Sequence, residues 1–203
     1  MSVKVGVVMD PIADINYKKD TTLALLWAAQ DRDWELHYME QGDLYLDQGA
    51  ARASMAPLNV FHDPQSWYQM DPREERALAD LDVILMRKDP PFDNEYIYTT
   101  YILEEAERSG TLVVTRCQGL RDCNEKVFAT HFPQCCPPVL VSADMGRLKA
   151  FHKTHGDVIF KPLDGMGGTA IFRVRPDDPN LSVILEMLTR HGMRTIMAQR
   201  FIP

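Results

Sequence analysis

An α/β fold is predicted for this chain, with a doubly wound parallel sheet in its first part and a smaller mixed unit in its second. Three observations carry that expectation. Residues 3–9 and 81–86 are nearly unbroken apolar runs, the mark of strands covered on both faces of a parallel sheet. Between and after them lie segments whose apolar residues recur at intervals of three and four, as helices crossing such a sheet require. After about residue 120 the pattern changes, and Pro133, Pro137 and Pro138 mark a hinge. The organisation expected is therefore one domain over residues 1–120 and a second over 121–203.

In chain order, residues 3–9 form the first strand. Asp20 stands where a helix N-cap belongs, ahead of a face made by Leu23, Leu26, Trp27 and Gln30, because a short acceptor side chain satisfies the first free N–H groups. A strand at 34–38 completes a β-α-β opening. Residues 43–60 read as an antiparallel hairpin turning at Asp47-Gln48-Gly49, and the polar stretch 65–79 reads as loop or short helix. The strand at 81–86 is stopped by Pro90 and Pro91. Asp93 caps a helix carrying Ile97, Tyr98, Tyr101, Ile102 and Ala106, with Gly110 as its stop. Residues 112–115 give a fourth strand. Ligands of doubly wound sheets sit beyond the carboxyl ends of the strands, the positions held here by Asp10, Pro11, Arg87 and Lys88.

The second part reads as helix 122–130, strand 139–142, helix 144–154, strand 158–162 and a glycine-rich turn. Strand 169–175, helix 181–190 and strand 195–201 follow, with Asn180 as helix cap and Gly192 after the helix.

Composition excludes several classes. With 45% hydrophobic and 25% charged residues the chain has the make-up of a folded globular protein. A net charge of −7 without a local cluster of Lys and Arg argues against nucleic acid as a partner, since phosphates must be neutralised by gathered cations. No apolar run approaches the roughly 20 residues that span a bilayer. The start lacks a signal peptide's longer apolar core, so a cytoplasmic address and no membrane partner are expected. Cys117, Cys123, Cys135 and Cys136 follow neither zinc-finger nor C-x-x-C spacing and read as reduced structural thiols. His152 and His155 could share a metal ion on one helix face, but no third ligand stands at a supporting interval, and no metal ligand is assigned.

The most informative stretch is Lys161-Pro-Leu-Asp-Gly-Met-Gly-Gly168. Three glycines within four residues leave backbone N–H groups uncovered and able to turn toward phosphate oxygens. The spacing is neither G-x-x-x-x-G-K-[ST] nor G-x-G-x-x-G, and β-rich sequence follows it, so the phosphate cradles built on helix N-termini do not fit. Two readings stay open: a mobile glycine hairpin over a ligand, or a plain turn preceded by an exposed lysine. Lys161 follows Val158, Ile159 and Phe160, a buried neighbourhood in which an unpaired ammonium is expensive. Its partner is either a triphosphate or a protein carboxylate. Lys126 is a second candidate phosphate cation, or a solvated helix lysine. Residues 197–201 alternate polar and apolar groups, which suits an adenine slot and equally a half-buried strand.

Five segments together resemble a known family. Val7-Val-Met-Asp-Pro-Ile-Ala13, Tyr38-Met-Glu-Gln-Gly-Asp-Leu-Tyr45, Leu85-Met-Arg-Lys-Asp-Pro-Pro-Phe-Asp93, Leu120-Arg-Asp-Cys-Asn-Glu-Lys126 and the Lys161–Gly168 stretch are similar, in order, to bacterial glutathione synthetases, which are ATP-grasp ligases. The fold this implies is a doubly wound pre-ATP-grasp domain followed by the first part of an α+β ATP-grasp nucleotide-binding domain.

The resemblance also implies residue roles. Lys126 and Lys161 become the phosphate-side lysines, and Gly165, Met166, Gly167 and Gly168 the flexible loop over the β and γ phosphates, with Lys161, Gly167 and Gly168 as the catalytic positions. Gln199, Phe201 and Ile202 border the adenine, while Arg87 and the loop from Asp10 to Asn16 face the peptide. The implied reaction joins γ-glutamylcysteine to glycine at the expense of ATP, through an acyl phosphate of the cysteinyl carboxylate. Such chemistry needs charge neutralisation and alignment more than a strong base.

Family members continue past Pro203, and the resemblance places the magnesium ligands and further substrate arginines in that later part. The 203 residues are thus expected to be an N-terminal portion that binds ATP weakly and is inactive alone, the full-length enzyme being a homo-oligomer. Two other readings remain: an ATP-grasp ligase joining a different carboxylate and amine, and a non-catalytic nucleotide-binding module.

Overall fold

The computed structural model describes residues 2–203, which divide into two compact units, one ending at Asp122 and the other running Cys123–Pro203. Each is described by itself.

The first unit is built on β1 (Lys4–Val8), α1 (Thr21–Gln30), β2 (Glu35–Met39), β3 (Leu44–Asp47), β4 (Ala50–Val60), β5 (Tyr68–Met70), β6 (Glu74–Ala77), β7 (Val83–Met86), α2 (Asn94–Arg108), β8 (Leu112–Val114) and α3 (Cys117–Asp122). Its sheet runs β3-β4-β2-β1-β7-β8, with β5 and β6 also paired to β4. The pairs β1–β2, β1–β7 and β7–β8 are parallel, whereas β4 lies antiparallel to β2. Successive strand residues face opposite sides, and both sides are covered. Val5 and Val7 pack with Leu23 and Leu26 of α1, while Val8 and Ile84 pack with Leu103 and Ala106 of α2. That double coverage is why β1 reads as an unbroken apolar run. Because the neighbours of β1 are β2 on one side and β7 on the other, the strand order reverses there, and a crevice opens beyond the carboxyl ends of β1 and β7.

Several local expectations hold. The Asp20 carboxylate accepts from the Leu23 N–H and the Asp93 carboxylate from the Tyr96 N–H, at 2.7 and 3.0 Å. The hairpin turns at Gln48 (φ 48°) and Gly49 (φ 85°), two successive left-handed residues that match strand twist.

Others need correction. Residues 65–79 contain strands β5 and β6, not a helix, because the long β4 offers its backbone edge to both. The sheet-facing side of α2 is Tyr96, Thr99, Thr100, Leu103 and Ala106, and it leaves Tyr98 and Tyr101 about half exposed, at 52% and 49%. The threonine hydroxyls there donate to Glu95 and Ile97 carbonyls, so a polar-looking face can be buried without unmet hydrogen bonds.

The second unit contains β9 (Val139–Ser142), α4 (Met145–His155), β10 (Val158–Pro162), β11 (Phe172–Val174), α5 (Leu181–Thr189) and β12 (Ile196–Arg200). The sheet is antiparallel throughout, in the order β11-β10-β12-β9. Its core joins Val158, Phe160, Val174 and Ala198 of the strands to Leu148 of α4 and to Leu185 and Leu188 of α5, an α+β arrangement.

The expected helix at 122–130 is absent. α3 stops at Asp122, and after a turn only a short 3-10 segment, Phe128–His131, remains. The Asn124 carbonyl oxygen takes the N–H groups of Lys126 and Val127, at 3.0 and 2.9 Å, the competition with helix that short amide side chains offer. The expected strand 169–175 shrinks to β11 because Gly167, Gly168 and Ala170 all have positive φ. Asn180 occupies the N-cap position of α5, but its side chain makes no capping bond.

Two predictions follow from the first core. A Cβ on Gly6 would sit 2.6 Å from Leu81 Cδ1 and 2.7 Å from Met39 Cε, both buried. Gly6→Ala is expected to cost about 1–3 kcal/mol of stability, read as a lowered urea midpoint. His37 is 4% exposed, and neither ring nitrogen has a partner among the described residues. Burial chiefly, then Arg76 and Lys4 against the opposing Glu35 and Glu74, hold its pKa below the ordinary 6.5. The unfolded chain therefore binds this proton more readily, and stability is lost as pH falls below 6.5. His37→Met is expected to shrink that acid-side loss when urea midpoints are compared across pH.

Candidate functional site

In the first unit the crevice residues lie where the loops leave β1 and β7. The Asp10 carboxylate is held from two directions, by Lys88 Nζ at 2.8 Å and by the Asp89 N–H at 2.9 Å. Arg87 donates its backbone N–H to the Val8 carbonyl and its side-chain Nε to Thr22 Oγ1, at 2.7 and 3.0 Å. The loop between is pinned at Ile12. Its N–H reaches Tyr38 Oη at 3.3 Å, and its carbonyl accepts from Trp67 Nε1 at 3.1 Å. Asn16 is engaged in its own turn, with its side-chain oxygen accepting from Lys18 and its carbonyl from Lys19 and Asp20. Asp10 and Arg87 thus sit just beyond the carboxyl ends of β1 and β7, and Asn16 serves its own turn. Sequence reading named Lys88 only by its place beside Arg87, and it missed Trp67 and Thr22. Nothing local distinguishes those two, since tertiary pairing alone brings them to the loop.

The second unit gathers a different chemistry. Along β10, Val158 and Phe160 enter the core, so Lys161 and Ile159 face the opposite side. Lys161 is therefore half-buried rather than sunk in the apolar interior. The register pairs Lys161 with Met197 and Ile159 with Gln199, which sets Lys161 and Gln199 diagonally on one face. Lys161 Nζ donates to Gln199 Oε1 at 2.7 Å, and among the described residues it has no carboxylate partner. Burial first, and then the charge of Lys126, push the Lys161 pKa below its ordinary value, with Cys136 opposing.

Lys126 sits in the turn that replaces the expected helix. Its ammonium donates to Glu125 Oε1 at 2.7 Å, to the Gly165 carbonyl at 2.9 Å and to the Leu163 carbonyl at 3.4 Å. A cavity of about 90 Å³ is bounded by Lys126, Lys161, Gln199, Met197, Thr130 and Cys136, among others. The loop beside it has φ of +86° at Gly165, +68° at Gly167 and +78° at Gly168, and a Cβ at any of the three would meet nothing within 4 Å. Backbone hand, not crowding, makes these positions glycine. Among the described residues the N–H groups of Gly165, Met166, Gly167 and Gly168 make no backbone hydrogen bond. The Lys161 ammonium, half-buried at this cavity with its proton affinity lowered, is a group that a nearby oxyanion would stabilise.

Phe201 and Ile202 are not part of that cavity wall. The Phe201 ring lies under the Arg173 guanidinium at 3.5 Å. Arg173 also grips Asp157, with its shortest contact at 2.7 Å, and this bond chiefly holds the Asp157 pKa below the usual carboxylate range. Ile202 is exposed. The structure thus brings together Lys126, Lys161 and Gln199 at one cavity, ties the Gly165 carbonyl to Lys126, and leaves Phe201 against Arg173 and Ile202 exposed. Cys136 and Thr130 were missed as cavity residues because their segment has no periodic pattern to place it. His152 is buried with Nε2 against the Val174 and Arg175 carbonyls, a core role. All four cysteines are free, and burial with Glu107 nearby pushes the Cys117 thiol up to about 12.

The family described as prokaryotic glutathione synthetase, N-terminal domain, matches residues 3–121, and the one described as prokaryotic glutathione synthetase, ATP-grasp domain, matches residues 125–203. Curated relatives named glutathione synthetase include those of Pseudomonas aeruginosa, 61% identical, and Pseudomonas syringae pv. tomato, 63% identical. Both alignments cover 100% of this chain but 64% of the relative, so the chain spans about two thirds of their length. Among solved structures, D-cycloserine synthetase DcsG matches 98% of this chain and 59% of its own at a TM-score of 0.62 and 11% identity. A RimK domain ATP-grasp protein from Sphaerobacter thermophilus matches 99% of this chain and 65% of its own at 0.58 and 17%. At such identities these two show the fold alone, that of the ATP-grasp proteins. The paired lysines and the glycine loop stand on that fold within a sequence whose two halves both match one family, and the chain belongs to the prokaryotic glutathione synthetases.

Proposed function

We propose that these residues serve glutathione synthase activity: the ATP-dependent joining of γ-glutamylcysteine and glycine. The observation that carries the proposal is the meeting of Lys126, Lys161 and Gln199 at one cavity, with Lys126 bonded to the Gly165 carbonyl of the glycine loop. It is supported by relatives of 61–63% identity that are named glutathione synthetase.

In this reading ATP is a substrate whose phosphate tail lies against the two ammoniums. One carboxylate oxygen of the cysteinyl residue attacks the γ phosphorus, and ADP leaves. The glycine amine then attacks the acyl carbon, the amide forms, and phosphate departs. Lys161 and Lys126 neutralise charge that builds on the phosphate oxygens, and the N–H groups of Gly167 and Gly168, which make no backbone hydrogen bond among the described residues, add donors. Glycine-rich backbone able to close over the acyl phosphate keeps water from hydrolysing it. Gln199 orients Lys161, while Phe201 and Ile202 supply an apolar edge for the adenine. Asp10, Arg87 and Asn16 belong to the peptide end, where the Arg87 guanidinium can pair with a carboxylate.

Magnesium is implied by the family. Among the described residues no three carboxylate, imidazole or thiol groups gather as a metal site, so the proposal assigns its ligands to none of them. No helix among these residues is long and apolar enough to cross a membrane. The working form proposed is a cytoplasmic, homo-oligomeric enzyme.

The test is ADP release by the intact natural polypeptide with γ-glutamylcysteine and glycine, each omitted in turn. Release is expected only with both present, and a requirement for a different carboxylate or amine would replace the substrate assignment. Lys161→Ala is expected to weaken ATP binding by about 1.5–3 kcal/mol, the worth of a hydrogen bond to a charged group, measured by calorimetric titration. A second check needs no turnover. Cys136 shares the cavity wall with Lys161, whereas Cys123 and Cys135 are exposed. Saturating ATP is expected to slow alkylation of Cys136 by iodoacetamide while Cys123 and Cys135 react as before.

A further inference from the structure

Lys126, ion-paired with Glu125 at 2.7 Å, and Lys161 stand on separate segments and bound one cavity. Their spacing depends on how those segments are tied to each other. One side chain in the second unit bonds to both.

We infer that Asn124 is a positioning residue that sets the spacing of the two site lysines. Its Oδ1 accepts from the Lys126 and Val127 N–H groups at 3.0 and 2.9 Å, which shapes the turn presenting Lys126. Its Nδ2 donates to the Leu163 carbonyl at 3.1 Å, on the chain leaving β10 two residues after Lys161. Lys126 Nζ reaches that same carbonyl and the next glycine's carbonyl, at 3.4 and 2.9 Å. The Asn124 carbonyl meanwhile accepts from the Phe128 N–H at 2.9 Å, closing the turn from the other side. Both ends of one amide are therefore used, oxygen on the Lys126 turn and nitrogen on the strand end that carries Lys161. A serine keeps an acceptor for the turn but lacks the amide donor, so the two functions of the side chain can be separated.

The inference rests on the nucleotide reading for its effect on ligand binding, but not for its effect on the lysines themselves. Without the Leu163 bond the turn relaxes away from β10 and the phosphate-side donors fall out of alignment, while the apolar edge is untouched. The experiment compares wild type, Asn124→Ala and Asn124→Ser in the intact natural polypeptide. Three readouts are taken: the Kd for ATP, the Kd for adenosine, and the pH profile of Lys161 acylation by acetic anhydride without nucleotide. Asn124→Ala is expected to raise the ATP Kd roughly tenfold, as loss of a fixed hydrogen bond implies, and to leave adenosine binding within about twofold. The Lys161 acylation profile is expected to move to higher pH, because the repulsion from Lys126 is relieved. Asn124→Ser is expected to show the same shifts with an unfolding midpoint closer to wild type, which keeps the test valid where the alanine variant unfolds. An unmoved Lys161 profile in the folded serine variant overturns the inference, as does an equal loss of ATP and adenosine affinity. Wild type that fails to bind ATP overturns the nucleotide reading instead, and the acylation profile still decides the spacing.

Discussion

The candidate site of the second unit depends on a half-buried Lys161 that has an amide oxygen, and no carboxylate among the described residues, as its partner. A half-buried ammonium beside another ammonium is unfavourable on two counts, desolvation and like charge, and both are visible in the lowered proton affinity of Lys161. The fold tolerates this because Lys161 has a neutral acceptor in Gln199 Oε1, while Lys126 is bonded to the Leu163 and Gly165 carbonyls and ion-paired with Glu125. The amide oxygen satisfies the Lys161 ammonium without cancelling its charge. That charge is what a phosphate group would meet.

A different solution operates in the first unit. There the charged groups at the crevice are already paired, Asp10 with Lys88 and Arg87 with a threonine hydroxyl. The rigidity comes from below. β1 is packed on both faces, and Gly6 lets Leu81 and Met39 close over it, so the residues that follow Val8 leave the sheet from a fixed place. Ile12, held at its N–H by Tyr38 and at its carbonyl by Trp67, then keeps the loop from folding back over the opening. Rigid core and pinned loop together make a surface on which ligand groups can be oriented rather than merely attracted.

Much of this was legible in residue order. Asp20 and Asp93 cap helices because a carboxylate followed by an apolar period needs no distant partner to act. The hairpin at Gln48 and Gly49 and the left-handed glycines after Asp164 were equally local. Expectations failed where a distant partner decides. β5 and β6 are short and polar, and they are strands only because β4 presents an edge to them. The stretch holding Lys126 has the composition of a helix, but Asn124 reaches Leu163 and its own turn instead. The stripe of α2 was misjudged because threonines can be buried when they bond to their own helix.

The sequence by itself determined the alternation of strands and helices, the caps and glycine turns, and the membership of an ATP-grasp family, and it singled out the two lysines as candidates. Each of these depends on hydrophobic period, backbone hand or a run of residues read in order, all properties of neighbours along the chain. Only the tertiary structure decided which face of β10 bears Lys161, that Gln199 meets it across the sheet, that Lys126 arrives from a turn, and that Cys136 lines the same cavity. Those facts depend on register and on hydrogen bonds between segments far apart in sequence, where a shift of one residue would turn every side chain to the other face.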